Sequence, residues 1–502
     1  MLSKITHQSA IRPIATLLLI LLTALIPLSH GKTASEVLND ADVKGAIAIT
    51  DAWIESVRAY RQVPSISVGF VLDQDVLFSK GYGHANLKRK RQATTDTIYS
   101  ICSISKLFTS IGVMQQRDTG KLTLRDPVRD HLDWFNIKLA HAASGPTRVQ
   151  GLLTHSSGLP RESDFPYWSD DSHPFPTREE MIEQLANQET LYPADSEFQY
   201  SNLAMSLAGE LITTHSGEPY EDYVRKNILD PIGLADTRPY FPEDLHGKQM
   251  AIGYSGQSRN LKRPLVKPFY ARGIAAAAGF TSTVNDLAKF ASWHFRTLAG
   301  EQNSVLAPNT LREMQRVHWV NPDWKVTWGL GYVVSQNEGG TRVGHSGGCP
   351  GYITNFVMVP KNKTAAIALT NAGDGPAAVV TSAMLDTIGK AVKGALKKPV
   401  VKEVDNETAE KTSKPQLEKY AGLYSGGIWG GETIVRPWDD KLAVVRVPSN
   451  KIKVTKLKHR DGDTFVRLTD EGEERETWQF LTDSDGSVTA VKIHSSISQK
   501  VD

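Results

Sequence analysis

Cysteine is nearly absent from this chain, with two in 502 residues. A single pair cannot form a disulfide framework, so the fold has to rest on an apolar core. Metal-ligand patterns are also missing. The 14 histidines are scattered and His-Glu-x-x-His does not occur, which argues against a metal site, and no organic cofactor is expected. Nor is there an excess of charge of one sign. The formal balance is +2 with Lys and Arg dispersed, so nucleic acid is not expected as a partner. Long apolar runs are lacking except near the N-terminus, where Lys4 and Arg12 precede an apolar stretch from 14 to 28. That stretch of about 15 residues is short of the ~20 a membrane span needs. With Ser29 and Gly31 after it, it reads as a signal peptide over 1–31 cleaved after Gly31. A periplasmic or secreted location is expected, with no stable membrane span after cleavage. No cysteine follows the run, which argues against a lipid anchor.

What is present is a candidate nucleophile with a candidate base. In Ser103-Ile104-Ser105-Lys106 the lysine lies three residues after the serine, on the same face of a helix and within side-chain reach. Desolvated at the positive end of that helix, the lysine can lose its charge and take the serine proton. Ser-x-x-Lys alone is weak, because a chain of this length yields about one or two chance matches. Two further elements follow in order, Tyr200-Ser201-Asn202 and His345-Ser346-Gly347-Gly348. A rival reading uses the same residues: Gly344-His345-Ser346-Gly347-Gly348 also satisfies Gly-x-Ser-x-Gly, which would make Ser346 a nucleophile on a strand–turn–helix elbow. The residues after it alternate like a strand, which denies the elbow its helix.

With Ile98-Tyr99-Ser100-Ile101-Cys102-Ser103, Leu152-Leu153-Thr154-His155-Ser156-Ser157-Gly158-Leu159-Pro160, Ala278-Gly279-Phe280-Thr281 and Trp328-Gly329-Leu330-Gly331-Tyr332, these motifs resemble the class C β-lactamase, DD-peptidase and esterase group of serine hydrolases. The likeness runs over about residues 45–395. It implies an α+β fold in which an antiparallel sheet flanked by helices lies beside a helical region, with the site at their junction. It further implies an acyl-enzyme on Ser103, Lys106 as base and Tyr200 as proton shuttle. Asn202 would bond Lys106 and the substrate amide, and the backbone N–H groups of Ser103 and Gly348 would form the oxyanion hole. Ser346 and Gly347 would line the substrate strand. The resemblance departs from the β-lactamase pattern at His345, where a permanent cation is replaced by a group that titrates near pH 6.5. The expected substrate is therefore a small peptide, amide or ester, cleaved by what reads first as a peptidase. A β-lactamase, a carboxylesterase and an inactive penicillin-binding-like sensor are the alternatives. If His345 does receive a substrate carboxylate, KM should rise as pH climbs through about 6–7. Cys102 adjoins the nucleophile and Cys349 follows the third motif. Two separate buried thiols are the preferred reading, and a bridge the other.

Along the chain, helical spacing over 46–60 precedes a hairpin over 65–72 and 75–78. A helix is expected over 98–118, a second hairpin over 352–359 and 365–370, and a closing helix over 376–395. The hydrolase domain is placed at 40–396 and a Lys/Glu/Thr/Pro linker at 397–416. From 417 to 502 the period changes to two, in strands at 433–435, 442–445, 452–454, 464–468, 478–480 and 488–491. These predict a small antiparallel barrel, similar to the lipocalin-like domain appended to some members of the group. A homo-oligomer is possible.

Overall fold

The computed structural model describes residues 32–399 and 416–501 apart from 142, 144 and 338. The signal peptide expected at 1–31 and most of the linker expected at 397–416 lie outside the described residues. Among the described residues, no helix is long and apolar enough to cross a membrane.

A nine-stranded antiparallel sheet organises the larger domain. Ser65–Leu72 pairs with Asp75–Asn86 on one side and with Thr364–Thr370 on the other, so the two ends of the domain close on each other. Beyond Thr364–Thr370 come Tyr352–Val359, Gly340–Cys349 and Val333–Asn337 in turn. Every residue of Ser65–Leu72 and of Thr364–Thr370 is buried, as in strands covered on both faces.

Two separate apolar cores occupy the two faces. On one, Val43, Ala46, Ile49, Trp53, Ile54 and Val57 recur at helical spacing along Ala41–Tyr60 and meet Val380, Met384 and Ile388 of the C-terminal helical segments. On the other, helices Ser105–Asp118, Asn202–Ser216 and Val284–Ala299 build the helical region around Leu107, Phe108, Ile111, Leu207, Leu211 and Phe290. Both expected hairpins form. The expected helix over 98–118 is divided. Tyr99–Ser100 pairs with Thr281–Ser282, a tight turn covers Cys102–Ile104, and the helix begins at Ser105. The backbone before the turn is already committed elsewhere, since Ile101 N donates to Phe280 O at 2.9 Å. Ser103 is thereby held at a junction and not within a regular helix.

The C-terminal part is an eight-stranded antiparallel sheet in sequential order from Gly422–Ser425 to Ser496–Gln499. It nearly closes on itself, as Val501 N donates to Leu423 O at 2.9 Å. Tyr420, Tyr424, Phe465, Trp478 and Phe480 fill it. Ile452-Lys453-Val454, expected as a strand, instead precedes Thr455–Asp461, whose polar side chains give little alternation to read. The first and last strands, Gly422–Ser425 and Ser496–Gln499, were not expected; both are short and Gly- or Ser-rich. The barrel docks on Ala41–Tyr60. Trp438 covers Gly45, where a Cβ would come within 2.4 Å of the indole, and its Nε1 donates to Asp42 Oδ1 at 2.8 Å. Ile434, Ala443, Val445 and Val447 join the same core.

Candidate active site

The tight turn at Cys102–Ile104 and the helix after it put Ser103 and Lys106 side by side. Lys106 Nζ lies 3.1 Å from Ser103 Oγ, 2.8 Å from Asn202 Oδ1 and 2.8 Å from Ala277 O. The lysine is wholly buried in the first turn of its helix. Burial holds its pKa well below the usual amine range; the nearby Glu162 carboxylate acts against this and Arg161 with it. The helix N-terminus opposes the charged form as well. A buried amine that can be neutral beside a hydroxyl has the chemistry that a general base for that hydroxyl needs.

Tyr200 stacks over Lys106, with the lysine nitrogen 4.8 Å from the ring centroid. Its phenol shares a hydrogen bond with Ser103, yet burial raises its pKa above the ordinary value. Tyr200 is therefore a phenol at neutral pH. His155 orients this tyrosine. It caps the helix Val149–Thr154 in a left-handed conformation with φ +57°. Its ring lies 4.3 Å from that of Tyr200, and its Nδ1 accepts from Ser201 N at 3.1 Å. Gly158 has φ +77°, and a Cβ there would lie 2.2 Å from Tyr192 O, so the turn after His155 requires glycine.

The strand Gly340–Cys349 brings the third motif alongside. At Gly347 a Cβ would meet Ile101 O at 2.1 Å and Thr354 Oγ1 at 2.4 Å, so positions 345 and 347 face the nucleophile and 346 faces away. Ser346 borders a cavity on the opposite side with Asn355 and Ala378. The elbow reading fails, because Ser346 is in mid-strand on the wrong face with no helix after it, and for the same reason its side chain does not line the substrate side. Gly348 and Ser103 line one cleft of about 810 Å³, with Arg161, Trp168, Asp170, His173, Leu265 and Lys267 among its walls.

Two further expectations change here. Cys102 and Cys349 are bonded to each other, with Cα atoms 5.8 Å apart, and not separate thiols. The turn before the nucleophile and the end of the third-motif strand converge, which spacing of 247 residues could not reveal. His345 is not a titrating cation: its ring is buried, Nδ1 donates to Ser346 O at 2.5 Å, and burial with Lys106 nearby lowers its pKa to about 3. Asn202 bonds Lys106 as expected, and its Nδ2 also donates to Glu162, at 2.9 and 3.0 Å from the two carboxylate oxygens.

A family model described as Beta-lactamase matches residues 50–388. The chain belongs to the beta-lactamase family. Within that family it is 26% identical over 312 residues to penicillin-binding protein 4* of Bacillus subtilis, covering 59% of this chain and 66% of that one. It is 29% identical over 209 residues to beta-lactamase-like protein 2 of Dictyostelium discoideum, covering 41% and 38%. The chain thus spans under two thirds of these relatives' own length. An octameric penicillin-binding protein homologue from Pyrococcus abyssi superposes with TM-score 0.61 at 25% identity, over 90% of this chain and all of that one. A beta-lactamase/D-alanine carboxypeptidase from Yersinia pestis shares the fold, with TM-score 0.56 at 21% identity, over 70% of this chain and 99% of that one. Residues 406–502 match a domain of unknown function, DUF3471; its described part is the barrel.

The beta-lactamase domain also contains a site residue that the motifs did not flag. Glu162 accepts from Asn202 and from the hydroxyl of Tyr167, and forms an ion pair with Arg161, whose Nε lies 3.1 Å away. The available signal was an Arg-Glu pair directly after the distinctive Leu152–Pro160 stretch, which reads equally well as a solvated loop.

Proposed function

We propose that this beta-lactamase-family chain is a secreted or periplasmic serine hydrolase that cleaves a peptide or other amide bond, or an ester, through an acyl-enzyme on Ser103. The observation that carries the reading is the buried Lys106 amine 3.1 Å from Ser103 Oγ. Ser103 Oγ adds to the carbonyl carbon as Lys106 takes its proton. The oxyanion so formed meets the backbone N–H groups of Ser103 and Gly348, a type of contact worth about 10²–10³ in rate per donor. As the carbon–leaving-group bond breaks, the proton passes through the Tyr200 phenol to the departing amine or alcohol. Water then adds to the acyl carbon as Lys106 takes its proton, and as the bond from that carbon to Ser103 Oγ breaks Lys106 returns the proton to Oγ, releasing the acid product.

Peptide, amide and ester substrates fit better than β-lactams because neutral His345 stands where a permanent cation would hold a carboxylate. The D-amino acid amidase from Ochrobactrum anthropi has the same fold, with TM-score 0.57 at 24% identity, over 70% of this chain and 99% of that one. Secretion is supported by the apolar run at 14–28 and by the Cys102–Cys349 bond, which belongs to an oxidising compartment. The octameric Pyrococcus homologue supports an oligomer. The test is to label the purified chain with a fluorophosphonate and map the modified peptide. A label on Ser103 that disappears in Ser103→Ala upholds the proposal. A folded chain that takes no label overturns it.

A further inference from the structure

Three polar atoms surround Lys106 Nζ at hydrogen-bond distance: Ser103 Oγ, Asn202 Oδ1 and Ala277 O. A neutral amine has two N–H donors and one lone pair. If the donors go to Asn202 Oδ1 and Ala277 O, the lone pair is left for the hydroxyl of Ser103, the arrangement a base requires. The carbonyl of Ala277 is fixed by the backbone. The amide of Asn202 is not, because its oxygen and nitrogen are nearly equal in shape and only their partners decide which faces where.

Glu162 supplies that decision. A carboxylate only accepts, and both of its oxygens receive Asn202 Nδ2, at 2.9 and 3.0 Å. Its own position is held by the Tyr167 hydroxyl and by Arg161 Nε. We infer that Glu162 is a positioning residue for the nucleophile: by capturing the amide nitrogen of Asn202 it keeps the amide oxygen on Lys106, and so keeps the lysine lone pair on Ser103. A reversed amide would present a donor to Lys106 and compete with Ser103 for that lone pair. The role rests on the serine-hydrolase reading above and extends it to a residue outside the three motifs.

Charge gives the inference a second readout. The groups facing Lys106 are Tyr200 and Asn202 from around the start of Asn202–Ser216, His155 from the cap of Val149–Thr154, His345 from the third-motif strand, and Arg161 with Glu162 from the loop after Pro160. Both histidines are held neutral by burial, and Tyr200 stays protonated. The fixed charges are therefore Glu162, which favours the ammonium, and Arg161, which disfavours it. Removing either should move the pH at which Lys106 becomes a base, in opposite directions.

The experiment measures the second-order rate of fluorophosphonate labelling of Ser103 in the full chain as a function of pH. In Glu162→Gln the plateau should fall about tenfold or more, and the acidic limb should move down by about one pH unit. In Arg161→Gln the limb should move up by about the same amount. Glu162→Asp keeps the charge and shortens the reach, so its limb should stay while its plateau drops; it carries the test if Glu162→Gln does not fold by thermal melt. An unchanged plateau in a folded Glu162 variant, or limbs moving the same way in the Glu162→Gln and Arg161→Gln variants, overturns the inference. A wild-type chain that takes no label instead overturns the hydrolase reading itself.

Discussion

The two faces of the nine-stranded sheet are built on opposite terms. The face toward the helical region buries Lys106, His155, His345, Asn202 and Ser201 around one site. The face toward Ala41–Tyr60 is apolar, and part of it is sealed by Trp438, Ile434 and Val445 from the barrel. Burying an amine and imidazoles without full pairing costs stability, while burying aliphatic and indole surface supplies it at about 25 cal/mol per Å². One face thus carries strained, reactive chemistry and the other offsets the cost. Activity and stability should therefore separate when each face is altered in turn.

The largest separation is expected from Ser103→Ala, which should abolish labelling and lower turnover by about 10⁴-fold or more with little change in Tm. On the other face, Trp438→Ala empties the contact over Gly45 and should cost about 3–5 kcal/mol of stability, read by denaturant titration, while Ser103 labels at the wild-type rate. A slower rate there would show that the faces are coupled through the sheet. Replacing Cys102 and Cys349 together by serine acts on the boundary between them. The bond joins the residue before Ser103 to the residue after Gly348, so it holds in register the two backbone N–H groups proposed as oxyanion donors. We expect about a tenfold loss in kcat with KM unchanged, and dithiothreitol should reproduce it. The smallest effect is a null one. His345 has its pKa lowered to about 3, so it is neutral throughout pH 6–8 and protonates only as pH falls far below that range. KM for a carboxylate-bearing substrate should stay flat from pH 6 to 8, and a rise through pH 6–7 would restore His345 as a cationic dock.

Legibility in the sequence followed the range of the interaction. Ser103 and Lys106 are three residues apart, so local spacing sufficed to expect their side chains within reach, although a tight turn at Cys102–Ile104 replaces the start of the expected helix. The central hairpins and most barrel strands were readable because alternation is a local property. The Cys102–Cys349 bond, the reversal of Ser346 to the far face and the hold of Glu162 on Asn202 all depend on which segments the tertiary fold brings together. Glu162 is 40 residues from Asn202, and nothing in a loop glutamate separates a carboxylate that orients an amide from one that faces water. His345 was read by its residue type, whose reference titration the interior overrides.

The Cys102–Cys349 bond also makes a covalent ring. Residues 103–348 are enclosed between its ends, and with them the whole helical region and the exposed stretches around Asp170-Asp171 and Trp324. A protease that cuts once inside that ring opens it without releasing a fragment, so the nicked chain should migrate as one species until a reductant is added. Outside a cell, where such cuts are frequent and repair is absent, the bond would let an enzyme survive its first wound.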